Sequence, residues 1–228
     1  MPKISVITVC YNETDVKRTC DSILKQSSRN YEWLIIDGGS KGQCLETLHS
    51  YANKATCFIS EKDNGIYDAM NKGIARAKGE YLIFMNAGDV FFHSEVLQLV
   101  EPYLNGKNEI VYGDTQYINE DGSSEIISCP DSISKEFFIR NTINHQSAFI
   151  KRNLFACFGG YDESFPIFAD VEKWLVYKEN DCLFKYLPII IAGFYRTGVS
   201  SRYTESYYAE HRRMCEKHFS TDILKQYI

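Results

Sequence analysis

Residues 4–40 read ISVITVCYNETDVKRTCDSILKQSSRNYEWLIIDGGS, and this stretch indicates the fold. It contains two short runs rich in β-branched residues, at 4–10 and 32–36, which predict buried strands. Between them, residues 13–25 place apolar side chains at helical spacing, with Thr14 as the predicted N-cap. A strand, a helix and a second strand in this order predict a parallel βαβ unit.

The alternation of helices and strands continues through the first hundred residues of the chain. Helices are predicted at 43–51 and 67–77, and strands at 56–60 and 81–85. We therefore predict an α/β fold with a doubly wound, mostly parallel sheet flanked by helices. The second half is less regular, and its predicted elements are strands at 110–117, 125–128, 149–150 and 187–192 and helices at 170–178 and 203–219.

The chain shows no internal repeat, low-complexity segment or linker. Residues 1–228 are therefore expected to form a single domain. The latter part of the chain is expected to complete a site that the first part begins.

The amino-acid composition argues against several classes of protein. Of the 228 residues, 44% are hydrophobic and 24% charged, which is ordinary for a globular protein, and the net charge is −5. This acidic balance argues against a nucleic-acid-binding protein, which needs a basic face. The eight cysteines form no CxxC pair, which argues against zinc and favours free thiols in a reducing compartment. No apolar run reaches the roughly 20 residues of a membrane span, so a cytoplasmic location is expected.

Three polar clusters directly follow predicted strands. They are Tyr11 with Asn12, Asp37 with Gly38, and the segment 86–89, Asn-Ala-Gly-Asp. In a parallel sheet of this kind ligands bind at the carboxyl ends of the strands. Asn, Asp and Gly also serve as turn formers, which is the structural alternative for each cluster taken alone. Three clusters on one edge predict a binding site there.

Five segments occur in the order typical of one enzyme family: 4–12, 34–40, 63–80, 82–89 and 159–174. On these segments the chain resembles glycosyltransferase family 2, an inverting group with the GT-A fold. The resemblance implies a Rossmann-like sheet with a smaller acceptor-side extension. It also implies transfer of a sugar from a nucleotide-diphosphate sugar to an acceptor hydroxyl. Residues 1–100 are then the expected nucleotide-binding half, and residues 101–228 the expected acceptor-binding half with a C-terminal helix. Residues 63–73, DNGIYDAMNKG, are similar to the members that build bacterial capsules, exopolysaccharides and lipopolysaccharide side chains.

A nucleotide-sugar donor presents a flat base, a ribose and a diphosphate. Tyr11 is predicted to cover the base, and Asp37 to accept a hydrogen bond from the base or the ribose, as the matching Asp does in the family. The alternative for Asp37 is a turn-forming role before Gly38. The resemblance also places Asp68 and Asn71 among the donor-binding residues. UDP-sugars are the commonest donors of the family, so a UDP-sugar is the expected donor.

The leaving diphosphate needs a divalent cation to neutralise its charge, and Mg²⁺ or Mn²⁺ is expected. The family holds this metal with an acidic cluster at the end of the fourth strand. In the segment 86–89 only Asp89 keeps a carboxylate, so Asp89 is the predicted metal ligand. Asn86 and Gly88 replace the other acids. Asn86 stays among the predicted donor-binding residues.

Inversion needs one carboxylate to take the proton of the attacking hydroxyl. The resemblance places this base at Asp170, at the start of a predicted helix that follows Gly-Gly-Tyr-Asp-Glu at 159–163. Ala169 replaces the Glu that usually precedes the base, and Glu172 is the second candidate. An acidic side chain at this position also interacts favourably with the helix dipole, so a purely structural role is the alternative.

Two later features complete the predicted site. His145 precedes the strand at 149–150 and is predicted to orient the acceptor or a phosphate; a structural loop histidine is the alternative. Residues 195–200 resemble the family's loop over the diphosphate, and Arg196 or Ser200 is predicted to clamp a phosphate. An exposed surface loop is the competing interpretation.

The acceptor is expected to be a saccharide or a lipid-linked saccharide. The predicted helix at 203–219 carries aromatic residues with Arg212, Arg213 and Lys217. This mixture leaves a peripheral contact with the inner membrane face open, against ordinary packing of the helix. A homo-oligomer is left open as well.

Two other functions remain open from the sequence. The loss of acids at Gly88 and Ala169 leaves a catalytically silent nucleotide-binding protein as one alternative. A nucleotidyltransferase is the other, but it needs a Gly-rich basic phosphate loop that residues 11–14 do not provide.

Overall fold

The computed structural model describes residues 1–196 and 203–227. The strands are β1 (Ile4–Cys10), β2 (Tyr31–Asp37), β3 (Cys57–Ser60), β4 (Tyr81–Phe84), β5 (Val90–Phe91), β6 (Ile110–Ile118), β7 (Ser124–Ile127), β8 (Ala148–Lys151) and β9 (Phe184–Tyr195). The helices are α1 (Val16–Leu24), α2 (Gly42–Tyr51), α3 (Ile66–Arg76), α4 (Val96–Val100), α5 (Arg152–Phe158), α6 (Ala169–Glu179), α7 (Glu205–His218) and α8 (Thr221–Leu224). Short 3₁₀ turns cover Glu101–Tyr103, Glu136–Ile139 and His145–Ser147.

All of these strands belong to one sheet with the order β3-β2-β1-β4-β8-β6-β9-β5, and β7 pairs with β6. Strands β3, β2, β1 and β4 are parallel, β8 runs antiparallel between β4 and β6, and β9 is parallel to β6. The predicted α/β fold, with a mostly parallel sheet flanked by helices, is confirmed. The strand order reverses between β1 and β4, so a crevice is expected at their carboxyl ends.

Apolar side chains form a core on each face of the sheet. Along β1, Val6 belongs to one core and Ile7 to the other, because successive side chains of a strand point to opposite faces. The first core also contains residues of α1, α2 and α4: Ile23, Leu48 and Leu97. The second contains residues of α3, α5, α6 and α7: Met70, Phe155, Trp174 and Met214. Helix α7 is therefore part of the folded core.

The start of α1 differs from the prediction. The helix begins at Val16, after Asp15, and no side chain caps it. The predicted cap at Thr14 is wrong, because its hydroxyl donates to the carboxylate of Glu13 (3.4 Å) and accepts no helix N–H. Glu13 also accepts from the N–H of Asp15 at 3.1 Å. The β1–α1 loop is thus longer than expected, and it keeps Glu13 outside the helix.

Strand β9 is longer than the predicted strand at 187–192, and it contains Pro188. Its register against β6 jumps from Tyr186 to Ile190. Pro188 falls within this irregularity, where its missing N–H breaks no ladder hydrogen bond. The short elements β5, α4, α5 and α8 were not predicted. Across the two described ranges, no helix is long and apolar enough to cross a membrane.

Candidate active site

A cleft of about 1400 Å³ lies at the carboxyl ends of the parallel strands. It draws side chains from both halves of the chain. Six of the predicted site residues line it: Tyr11, Asn86, Asp89, His145, Asp170 and Arg196. Three do not: Asp37, Asp68 and Asn71. The carboxyl ends of β1 and β4 and the start of α6 thus line the same cavity.

Asp89, the predicted metal ligand, lies in the turn after β4 and is 6% exposed. One of its oxygens, Oδ2, accepts a hydrogen bond from Nε2 of Gln146 at 2.9 Å. The other, Oδ1, accepts from the N–H of Tyr195 at 3.2 Å. Burial raises the pKa of Asp89 to about 7, because a charged carboxylate is costly away from water. A cation bound beside this group would favour its ionised form.

Asn86 and His145 connect the end of β4 with the acceptor half. Nδ2 of Asn86 lies 2.9 Å from Nε2 of His145, and Nδ1 of His145 lies 2.9 Å from Oδ2 of Asp170. These contacts are satisfied together when Nδ1–H donates to the carboxylate and Nε2 accepts from the Asn86 amide. Among the described residues, the buried Oδ1 of Asn86 has no hydrogen-bond partner. One unused acceptor therefore remains in the cleft wall.

Asp170 lies in the first turn of α6, where the helix N-terminus favours a negative charge. Its Oδ1 accepts from the N–H of Val171 at 2.9 Å and from the hydroxyl of Tyr67 at 3.0 Å. The Tyr67 hydroxyl also lies 2.9 Å from the carbonyl of Ile167. Burial, and then the charge of Asp170, raises the pKa of Tyr67 well above its usual value. Tyr67 therefore stays a hydrogen-bond donor and holds the carboxylate in place.

The cleft residues fit a divalent cation held mainly by a diphosphate. No group of three or more His, Cys, Asp or Glu side chains that would hold a metal occurs within residues 1–196 and 203–227. Mg²⁺ is commonly bound by one or two carboxylates together with substrate phosphates and water. Asp89 supplies one carboxylate at the cleft, and the unpartnered Oδ1 of Asn86 adds a second oxygen three residues earlier.

Tyr11 and Arg196 stand at the rim of the cleft. The side chain of Tyr11 is 66% exposed, so its ring is free to meet a ligand. Arg196 lies 3.0 Å from Oε1 of Glu125, and its guanidinium stacks 4.5 Å from the centre of the Tyr117 ring. Arg196 is thus paired with this chain's own residues, although it lines the cleft. Ser200, the other predicted phosphate clamp, lies outside the described residues.

Asp37 is fully buried and does not reach the cleft. Its carboxylate accepts from the N–H of Ser40 at 3.1 and 3.2 Å and from the hydroxyl of Ser60 at 2.6 Å. These hydrogen bonds are the ones expected for a turn-forming Asp37, which was the alternative to a donor-binding role. Asp63 lines the cleft instead, with its carboxylate packed directly against Gly38, where any side chain would clash.

Asp68 and Asn71 also serve the framework. Oδ2 of Asp68 accepts from the N–H of Asn64 at 2.8 Å, which closes the turn before α3. The amide of Asn71 pairs with both the N–H (2.8 Å) and the carbonyl (2.9 Å) of Tyr161. A side chain at Gly160 would collide with this amide. Neither Asp68 nor Asn71 lines the cleft, and both residues shape the backbone around it.

Glu172, the second candidate base, is buried beneath α7 and does not line the cleft. Its Oε1 lies 2.6 Å from Nζ of Lys217. Arg213 stacks 4.1 Å from the centre of the Phe165 ring. Two of the three basic residues considered for a membrane surface thus contact this chain itself.

Four cleft-related residues were missed or left unassigned. Tyr67 and Gln146 bind the two key carboxylates, and Asp63 opens the turn after β3. Glu13 lines the cleft, and a Cβ at Gly88 would lie 3.8 Å from its carboxyl carbon. A second carboxylate therefore faces the 86–89 turn even though residue 88 is a glycine. The sequence did contain a signal for Glu13, because this residue directly follows the first polar cluster, Tyr11 with Asn12.

The chain is similar in sequence to known glycosyltransferases. A family model described as "Glycosyl transferase family 2" matches residues 5–158. A protein named as an uncharacterized glycosyltransferase of Mycobacterium tuberculosis is 32% identical over 95% of this chain and 84% of its own length.

Two solved structures share the fold. Staphylococcus aureus TarS 1–349 in complex with UDP-GlcNAc has a TM-score of 0.73 at 17% identity, covering 94% of this chain and 66% of that one. The mannosyltransferase PcManGT from Pyrobaculum calidifontis, in complex with GDP-Man and Mn²⁺, has a TM-score of 0.68 at 17% identity. That match covers 97% of this chain and 64% of PcManGT. The chain thus spans just under two thirds of both solved chains, and the GT-A fold implied by the sequence is confirmed.

Proposed function

The chain belongs to glycosyl transferase family 2, and we propose that it transfers a sugar from a nucleoside-diphosphate donor to an acceptor hydroxyl with inversion at the anomeric carbon. One observation carries this proposal. A single cleft contains Asp89 on the donor side and, across the Asn86–His145 contact, the carboxylate of Asp170. The reaction needs a charge-neutralising site and a proton acceptor, and these residues supply one of each.

The donor is proposed to enter over the carboxyl ends of β1 and β4. Tyr11 supplies a flat, exposed ring for the base, and Asp63 and Glu13 supply carboxylates for the hydroxyl groups of the nucleoside. A UDP-sugar is the first donor to test. The TarS structure contains UDP-GlcNAc and the PcManGT structure contains GDP-Man, which supports a nucleoside-diphosphate sugar as the class.

Asp89 and the amide oxygen of Asn86 are the groups proposed to hold Mg²⁺ or Mn²⁺. When bound, the cation neutralises the negative charge that develops on the leaving diphosphate. The Mn²⁺ in the PcManGT structure supports a divalent cation for this fold. Hydrogen bonds from Gln146 and from the N–H of Tyr195 fix the orientation of the Asp89 carboxylate. Arg196 would contact a phosphate only if its ion pair with Glu125 broke.

Asp170 is proposed to act as the general base. As the acceptor oxygen forms its bond to the anomeric carbon, its proton passes to a carboxylate oxygen of Asp170 and the bond to the diphosphate breaks. The sugar passes through an oxocarbenium-like state, as in glycosidic bond cleavage generally. A single displacement of this kind inverts the anomeric centre. His145 and Tyr67 orient the base from its two sides.

The proposed acceptor is a saccharide or a lipid-linked saccharide in the assembly of a capsule, an exopolysaccharide or a lipopolysaccharide. The similarity of residues 63–73 to that part of the family supports this pathway class. The structure adds that α7 buries Met214 in the core. Any peripheral membrane contact would therefore use the exposed side of α7.

A turnover assay separates this proposal from a silent nucleotide-binding protein. The enzyme is incubated with a panel of UDP- and GDP-sugars, with Mn²⁺, with Mg²⁺ or with a chelator, and the release of the nucleoside diphosphate is measured. We expect release from one donor that requires the metal. Tight nucleotide binding with no release from any donor, with or without sugar acceptors, would contradict the proposal and favour the silent binder.

A further inference from the structure

We propose that an aromatic wall beside Asp170 binds the pyranose ring of the acceptor sugar, an inference that rests on the proposed transfer reaction. The wall consists of Phe168, Tyr203 and Tyr207, all of which line the cleft. Phe168 directly precedes α6 and lies two residues before Asp170. A ligand that contacts the wall therefore lies next to the proposed base.

The three rings of the wall pack against each other in sequence. The ring centres of Phe168 and Tyr207 are 4.7 Å apart at an angle of 58°, and those of Tyr207 and Tyr203 are 5.1 Å apart at 77°. Phe168 is buried, Tyr207 is half-buried, and Tyr203 is 69% exposed. The packing fixes the inner rings and leaves the outermost ring with a free face. Aromatic faces of this kind attract the C–H groups on the apolar side of a sugar ring.

Hydrogen bonds hold the wall and the base as one unit. The carboxylate of Glu210 on α7 accepts from the N–H groups of Ile167 and Phe168, both at 2.8 Å. Glu210 is 8% exposed, so these bonds are shielded from water. The single O–H of Tyr67 lies within hydrogen-bond distance of two acceptors, the carbonyl of Ile167 in the same loop and Oδ1 of Asp170, and is shared between them. A ring placed on the wall is thus held in fixed relation to the carboxylate.

The size of the cleft leaves room for a second ligand beside the donor. Sites for one small ligand typically measure about 300–1,000 Å³. The volume here is about 1400 Å³. Tyr11 and Asp63 line its donor end, whereas the wall belongs to the part built by α6 and α7. The donor and the acceptor therefore have separate surfaces in one cavity.

Polar groups around the wall favour a sugar over a lipid chain. Asn141, Thr142 and His211 line the cleft together with the wall. A sugar offers hydroxyl groups to these side chains and its C–H face to the rings. Each of these side chains already pairs one polar atom with a backbone carbonyl of this chain. An acyl or prenyl chain would cover their remaining polar atoms without offering a hydrogen bond, which costs free energy for each atom that loses water. The chemistry of the lining thus selects a pyranose with free hydroxyl groups.

The test measures saccharide binding by saturation-transfer NMR in the presence of UDP and diamagnetic Mg²⁺. The probes are the methyl pyranosides of glucose, galactose, mannose and N-acetylglucosamine, with farnesyl phosphate as the lipid probe. The variants are Tyr203→Ala and Tyr203→Phe, with Tyr103→Ala as the matched control. Tyr103 is an exposed tyrosine, 43% accessible, and does not line the cleft. Tyr203 is mostly exposed, so its truncation should leave folding intact.

We expect at least one methyl pyranoside to bind the wild type. Tyr203→Ala should weaken that binding about 3- to 10-fold, since aromatic packing contributes about 0.5–1.5 kcal/mol. Tyr203→Phe and Tyr103→Ala should bind it like the wild type. The wall is disproved if no pyranoside binds, if Tyr203→Ala binds as tightly as the wild type, or if only farnesyl phosphate responds to this variant.

UDP binding, measured on the same samples, keeps this inference apart from the proposed function. A wild type that binds UDP but no pyranoside contradicts the wall and leaves the proposed donor site standing. A wild type that binds neither UDP nor GDP contradicts the proposed function itself. Every variant is expected to bind UDP equally, because the wall lies outside the donor end of the cleft.

Discussion

Nδ1 of His145 lies 2.9 Å from Oδ2 of Asp170, and only 12% and 13% of the two side chains are exposed. The histidine comes from a 3₁₀ turn before β8 and the aspartate from the first turn of α6. On its other side the imidazole meets the amide of Asn86 at 2.9 Å. The contact therefore joins the proposed base to the strand end that carries the proposed metal ligand.

Removing His145 should lower kcat without changing donor affinity. Loss of one hydrogen bond to a charged group costs about 1.5–3 kcal/mol, so His145→Ala should lower kcat by about tenfold or more. His145→Asn retains an N–H near the position of Nδ1 and should restore part of the rate. The measurement is steady-state kinetics with the donor varied. An increase in donor KM at unchanged kcat would instead make His145 a donor-binding residue.

The stability of the protein should respond to pH through Asp89. Its folded-state pKa is raised to about 7 from 3.8. A raised pKa contributes stability that is complete below the unfolded value and is lost as the pH rises through the folded value. The metal-free melting temperature should therefore fall between about pH 4 and pH 7 through this group, and Asp89→Asn should flatten that part of the curve.

Mn²⁺ with UDP should reverse this trend, because the cation competes with the proton for the carboxylate. The increase in melting temperature on adding both should grow from pH 6 to pH 8 in the wild type. Asp89→Asn should show little increase at any pH, and it should lose most of the transfer activity. An Asp89→Asn protein that Mn²⁺ stabilises like the wild type would mean that the metal is bound elsewhere.

Glu172 should matter for stability and not for catalysis. Burial opposes its ionisation, but His218 and Lys217, with nitrogens 3.5 and 2.6 Å from Oε1, lower its pKa. A lowered pKa contributes stability above the unfolded value of about 4.5 that is lost as the pH falls through the folded value. Glu172→Gln should destabilise the protein by about 1–3 kcal/mol at pH 7 in urea titrations.

The kinetics of Glu172→Gln provide a control for the base. Its kcat at a temperature well below the melting point should equal that of the wild type. A loss of kcat as large as that of an Asp170 variant would make Glu172 part of the reacting site.

The sequence was sufficient to predict the parallel half of the sheet and the edge that carries the site. The apolar runs of β1 and β4 stop where Tyr11 and Asn86 begin, and parallel strands bring such ends together. Resemblance to the family then indicated Asp89 and Asp170 across a gap of 81 residues in the chain. The structure brings the two into one cleft.

The direction in which a side chain points was harder to predict. Asp37 lies at the expected strand end, but the N–H of Ser40 and the hydroxyl of Ser60 draw its carboxylate inward. Asp170 and Glu172 both fall in the first turn of α6, and residues two apart on a helix point to nearly opposite sides. Which side faced the cleft depended on where α7 packs, and no local pattern contains that information.

The most direct test of the account is the transfer rate of Asp170→Asn. The substitution preserves the shape of the side chain and removes the proton acceptor. The measurement combines acceptor-dependent release of the nucleoside diphosphate with the donor dissociation constant, both with Mn²⁺ and beside Glu172→Gln as the control. We predict that Asp170→Asn lowers kcat by roughly 10²-fold or more while the donor dissociation constant stays within about twofold. A variant that transfers at the wild-type rate, or that loses donor binding together with activity, would contradict the assignment of Asp170 as the base.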